Sequence, residues 1–101
     1  MNKLTDFDMS EYLDSNEAIA EYLSQVLEEG DQTEFLRAMG YIAKAKGMTQ
    51  IAQETGLGRT SLYKTFQENA EPKFSTVLKI MKSLGLSLHA DAMQTVNENS
   101  A

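Results

Sequence analysis

The stretch Ile51-Ala52-Gln53-Glu54-Thr55-Gly56-Leu57-Gly58-Arg59-Thr60-Ser61-Leu62-Tyr63 leaves this chain few folds to choose from. Its spacing predicts two short helices that meet at a tight turn, a helix-turn-helix. Ala52 stands where the first helix must let the second approach closely, and Gly56 where the turn needs a residue tolerant of positive φ. Leu62 stands where the second helix buries its first apolar anchor. An ordinary αα-hairpin in a helical core uses the same residue types, so the outer face of the second helix is what separates the two readings. From Arg59 to about Glu68 that helix presents Arg59, Thr60, Ser61 and Lys64 around its N-terminal turns. Side chains of this kind, at the start of a recognition helix, read base edges, which makes these four the candidate base-reading residues.

The flanking periodicity predicts further helices. From Ser15 or Asn16 to about Glu29, Ile19, Tyr22, Leu23, Val26 and Leu27 recur at helical spacing, and Gly30 ends the run. Asp31 is a good N-cap for a second helix, with Glu34 three residues on; Phe35, Leu36, Met39, Ile42 and Ala43 carry its apolar face to Gly47. After the paired helices another begins beyond Pro72, where Ser75 can cap and Val77, Leu78, Ile80, Met81 and Leu84 supply a buried stripe until Gly85. The expectation is a mainly α fold of five helices.

Both ends of the chain differ from this body. Residues 1–9 have no period and are expected as an extended arm in which Leu4, Phe7 and Met9 dock on the body, while residues 94–101 are expected as a frayed tail. Leu86-Ser87-Leu88-His89-Ala90 alternates with period two and predicts one short strand. A lone strand has no partner for its backbone groups, so pairing with the same segment of a second copy is the economical solution. Leu86 and Leu88 are therefore the candidate dimer-interface residues. One domain is expected, with an acidic region at 1–30, a core at 31–85, the strand region at 86–93 and the tail.

Charge is divided along the chain. Residues 1–30 carry one base against eight acids, net −7, whereas residues 44–82 carry seven bases against three acids, net +4. Two surfaces with different partners follow: a basic one for phosphates, and an acidic one, centred on Glu17, Glu21, Glu28 and Glu29, for a cationic protein. Lys44, Lys46, Lys64 and Lys73 bracket the recognition element; Lys44, Lys46, Lys73 and the Tyr63 hydroxyl are candidate phosphate contacts. Lys79 and Lys82 are expected as solvated charges.

Catalysis finds little support. The chain has no cysteine and one histidine, His89, so neither a zinc site nor a Ser-His-Asp arrangement can be assembled from neighbouring residues, and no cofactor or metal is expected. Gly56 and Gly58 follow no strand and precede no Gly-Lys-Ser or Gly-Lys-Thr, so they are turn residues and not a phosphate loop. The methionines at helical spacing are core filler, and Phe66, four residues after Leu62, is expected in the core. No apolar run approaches the roughly 20 residues that span a bilayer, and the acidic N-terminus is no secretory signal, so a cytoplasmic protein is expected.

Taken together, residues 5–90 resemble the probable addiction-module antidote proteins of the lambda-repressor-like helix-turn-helix superfamily. The resemblance runs through Phe7-Asp8-Met9-Ser10-Glu11-Tyr12-Leu13, Ile19-Ala20-Glu21-Tyr22-Leu23, Gly30-Asp31 and Phe35-Leu36-Arg37-Ala38-Met39-Gly40-Tyr41-Ile42-Ala43-Lys44-Ala45-Lys46-Gly47-Met48. It continues through Gln50 to Leu57, Arg59, Ser61-Leu62-Tyr63-Lys64, Pro72-Lys73-Phe74-Ser75-Thr76-Val77-Leu78-Lys79 and Leu84-Gly85-Leu86. It implies a lambda-repressor-like domain and a dimeric, DNA-binding antitoxin that neutralises a small basic RelE/ParE-like toxin and represses the operon they share. Two positions depart from the family pattern. Gly58 stands where Ser or Thr usually caps the recognition helix, a loss of roughly a few tenths of a kcal/mol. Ala70-Glu71 replace a common Gly-Asn before Pro72, placing a carboxylate where a phosphate would approach. The competing readings are a protein-binding module that holds a toxin or other basic partner and touches DNA weakly or not at all, and a general helix-turn-helix regulator without a toxin partner.

Overall fold

The computed structural model describes residues 15–93. The expected N-terminal arm and C-terminal tail lie outside the described residues. Within them the chain forms five helices and no strand: α1 (Asn16–Glu29), α2 (Gln32–Lys46), α3 (Met48–Thr55), α4 (Arg59–Thr65) and α5 (Phe74–Ser83).

Local chemistry sets most of their ends. Ser15 caps α1, its hydroxyl accepting from the Ala18 N–H at 3.1 Å, and Asp31 caps α2 by accepting from the Glu34 N–H at 2.9 Å. Each satisfies an N–H that the first helical turn would leave without a partner. Helix α5 departs from expectation at its start. It begins at Phe74 with Lys73 as the capping position and no side-chain cap, so Ser75 lies inside the first turn and does not cap it. The extended Lys73 instead opens the helix with its carbonyl, which accepts from the Thr76 and Val77 N–H groups at 3.0 and 3.2 Å.

The end of α5 is closed by a left-handed glycine. Gly85 has φ 81°, its N–H donates to the Lys82 carbonyl at 3.0 Å, and the Leu86 N–H donates to the Met81 carbonyl at 3.0 Å. This paired pattern is a Schellman motif, and the apolar contact that accompanies it is supplied by Leu86 and Met81, both buried. It also explains why the expected strand is absent from the single chain. The Leu86 N–H is already committed to α5 and its side chain to the core, and among the described residues no backbone hydrogen bond is made by residues 87–93.

Helix α3 is the centre of the packing, lying against α2, α4 and α5, while α1 packs on α2. The core joins Ile19 and Leu23 of α1, Met39 and Ile42 of α2, Ile51 of α3, Leu62 of α4, and Ile80 and Leu84 at the end of α5. Two residues expected in the buried stripes are instead open to solvent: Leu27 is 50% exposed and Leu78 37% exposed. Leu27 falls at the C-terminal end of α1 and toward the edge of its apolar stripe, and nothing within the described residues covers it fully. Gly40 of α2 provides a close approach that periodicity does not reveal. A Cβ there would lie 3.1 Å from the Phe66 Cβ, so Phe66, half-buried, seats the end of α4 on α2.

Candidate nucleic-acid interface

Helices α3 and α4 meet as the spacing predicts, through Gly56-Leu57-Gly58. Gly56 adopts φ 77° and its N–H closes α3 on the Ala52 carbonyl at 3.0 Å. Thr55 stitches the turn: its hydroxyl donates to the Ile51 carbonyl at 2.7 Å and accepts from the Leu57 N–H at 3.2 Å. Leu57 then packs against the core, which fixes the direction in which α4 leaves the turn.

On α4 only Leu62 and Thr65 are buried. Thr65 satisfies its hydroxyl by donating to the Ser61 carbonyl at 3.0 Å, so the polar group carries no desolvation penalty. Leu62, wholly inaccessible to solvent, sets the rotation of the helix. Arg59, Thr60, Ser61, Tyr63 and Lys64 are consequently all exposed. Thr60 and Lys64, one turn apart, lie opposite Leu62. All four candidate base-reading residues are thus presented on a single short element whose inner face is locked.

Arg59 has a partner of its own. Its guanidinium carbon lies 5.8 Å from the Tyr63 ring centroid, and Nη2 donates to the Tyr63 hydroxyl at 3.5 Å. Sequence reasoning assigned the Tyr63 hydroxyl to a phosphate; here it accepts from Arg59. The i, i+4 spacing of the two residues was the available signal. Stacking on the ring restrains a long side chain and leaves other guanidinium N–H groups free to donate.

The remaining candidates are distributed. Lys44 and Lys46 are exposed in the last turn of α2, where they also complement the carbonyl end of the helix. Lys73 is exposed ahead of α5. Lys79 and Lys82 line an open groove with Glu54, Thr55 and Ser83, away from the exposed face of α4. Glu17, Glu21, Glu28 and Glu29 are all exposed on α1, the first three along the side opposite Ile19 and Leu23. Of the candidate dimer residues, Leu86 is 9% exposed and belongs to the chain's own core, whereas Leu88 is 41% exposed. His89 faces Asp91 at 3.8 Å on the surface. Among the described residues no group of acidic, histidine or cysteine side chains is arranged to hold a metal ion, and no helix is long and apolar enough to cross a membrane.

Comparison with known proteins places this arrangement. A family model described as "Probable addiction module antidote protein" matches residues 3–92. The chain belongs to this family. A relative from Haemophilus influenzae (strain ATCC 51907 / DSM 11121 / KW20 / Rd), described as an uncharacterized protein, is 44% identical over 84 residues, covering 83% of this chain and 87% of its own. No solved structure matches. Membership in an antidote family implies, in general terms, a toxin as partner and a regulatory role.

Proposed function

We propose that this member of the antidote family is a sequence-specific DNA-binding antitoxin, which neutralises a small basic RelE/ParE-like toxin and represses the operon encoding both. The observation that carries the DNA-binding part is the exposure of Arg59, Thr60, Ser61 and Lys64 on a helix whose register is set by buried Leu62. On this reading α3 and α4 form the helix-turn-helix of a lambda-repressor-like domain, and α4 enters the major groove. Arg59 donates two N–H groups to a guanine, while Lys44, Lys46 and Lys73 neutralise phosphates. The protein acts as a homodimer in the cytoplasm, reading half-sites about one helical turn apart. The segment 86–90 supports the dimer through backbone groups from Ser87 onward, which make no backbone hydrogen bond among the described residues. The acidic face of α1 steers the cationic toxin.

The test is a titration of fluorescently labelled DNA from upstream of the protein's own gene, with a shuffled duplex as control. Binding that favours the upstream duplex by at least a hundredfold at fixed salt is the expected result. Equal affinity for both would leave a protein-binding module that touches DNA weakly, and the DNA-reading role of α4 would be abandoned.

A further inference from the structure

An apolar groove of about 330 Å³ opens between the end of α1, the start of α2 and α5, with Leu27, Phe35, Leu36, Phe74, Met81 and Leu88 among its walls. Its rim carries exposed apolar side chains: Phe74 is 64% exposed and Leu27 50%. Apolar side chains clustered in this way on a small protein mark a surface that a partner covers. A second groove adjoins it, sharing Leu27, Met81 and Leu88.

The charges around this pair of grooves select the partner. Glu71 lies at one end and Glu28 and Asp91 at the other, and among the described residues no Lys or Arg side chain lines either groove. A cationic segment satisfies floor and rim together. We infer that this groove is the docking site for one or two bulky apolar side chains, flanked by Lys or Arg, of the basic toxin. The inference rests on the toxin-binding reading above and extends it from long-range steering by α1 to a specific seat, in which Phe74 and Leu27 act as the buried anchors of the complex.

The experiment uses the full chain and, as probe, the purified small basic protein encoded in the adjacent reading frame. Wild-type protein should capture it, and the double variant Leu27→Ser, Phe74→Ser, which removes the apolar anchors without changing charge, should bind it at least tenfold more weakly. The same variant should keep its wild-type preference for upstream DNA and its wild-type sedimentation. Unchanged capture by a folded variant overturns the groove alone, whereas failure of wild-type protein to capture the probe overturns both the toxin reading and the groove. A variant that becomes monomeric assigns the groove to a second copy and overturns the inference. Loss of thermal stability with unchanged capture assigns it to residues 1–14 and overturns it equally. Should the double variant not fold, Glu71→Lys with Asp91→Lys, both at exposed groove positions outside the α1 steering face, replaces it. Tenfold weaker capture supports the groove and unchanged capture overturns it.

Discussion

Arg59 and Tyr22 show how one residue's surroundings set what it can do. Arg59 is exposed, and among the described residues its guanidinium interacts with the Tyr63 ring and hydroxyl, so its removal costs the fold little. Arg59→Ala should leave the melting temperature unchanged and weaken binding to the upstream DNA by about 1–3 kcal/mol, with a smaller loss on shuffled DNA. Equal losses on both duplexes would assign Arg59 to phosphate. Tyr22 is half-buried, and its hydroxyl titrates above the ordinary value of 10.0 because burial disfavours the phenolate, with Tyr41 and Glu34 adding to the effect. The unfolded chain therefore releases this proton at lower pH than the folded one. Above about pH 10 the folded state binds more protons, and stability falls as pH rises until the folded group also ionises. Tyr22→Phe should flatten that fall, read as the difference between the urea midpoints of variant and wild type from about pH 9 to pH 11. Parallel midpoint curves would show that Tyr22 does not contribute.

At the level of elements, the α3–α4 pair depends on one backbone conformation and one buried side chain. Gly56 holds φ 77° with no atom within 4 Å of where a Cβ would stand, so substitution there meets conformational strain without a steric clash. Gly56→Ala should cost about 1–2 kcal/mol, seen as a lower urea midpoint with an unchanged slope. No shift in the midpoint would show that the turn relaxes to another conformation. Phe66 and Gly40 secure the far end of α4, so this helix is pinned at both ends: by Leu57 and Leu62 near the turn, and by the ring of Phe66 on α2. A helix of this length is not stable alone, and its orientation is a property of what it packs on.

The whole molecule is electrically and chemically two-faced. Among the described residues, α1 carries four exposed carboxylates and no base, while the exposed cations lie on α2, α4, the approach to α5 and α5 itself. Charge reversal of Glu17, Glu21, Glu28 and Glu29 to Lys should slow association with the basic protein of the adjacent reading frame by about tenfold or more at low salt, and leave preference for upstream DNA intact. Unchanged stopped-flow association rates in a variant folded by circular dichroism would reduce these carboxylates to a solvated helix face. Association of two copies is the other property proposed for the whole. Leu88→Pro removes a backbone donor from the segment proposed to pair across the dimer, and sedimentation should then report a monomer. A persisting dimer would move the interface away from residues 86–90.

The sequence by itself determined the elements that depend on neighbours a few residues away. Ser15 and Asp31 cap because the N–H groups they accept from are three residues on, Gly56 turns because its own backbone needs positive φ, and the Ile19, Ile42, Ile51 and Leu62 positions are buried because helical period places them on inner faces. The candidate base-reading surface was legible for the same reason: once Leu62 points inward, Thr60 and Lys64 must point outward. Tertiary structure decided what depends on the amount of surface a neighbour can cover. Leu27 and Leu78 satisfy the apolar period of their helices yet stay exposed, because the packing partners of α1 and α5 do not extend over them. Residues 86–90 keep the alternation of a strand, but a strand exists only where a second backbone supplies hydrogen bonds, and within one chain the Met81 carbonyl takes the first donor instead. Periodicity reports which side of an element is apolar; only the fold decides how much of that side is covered, and the part left uncovered is where a partner can bind.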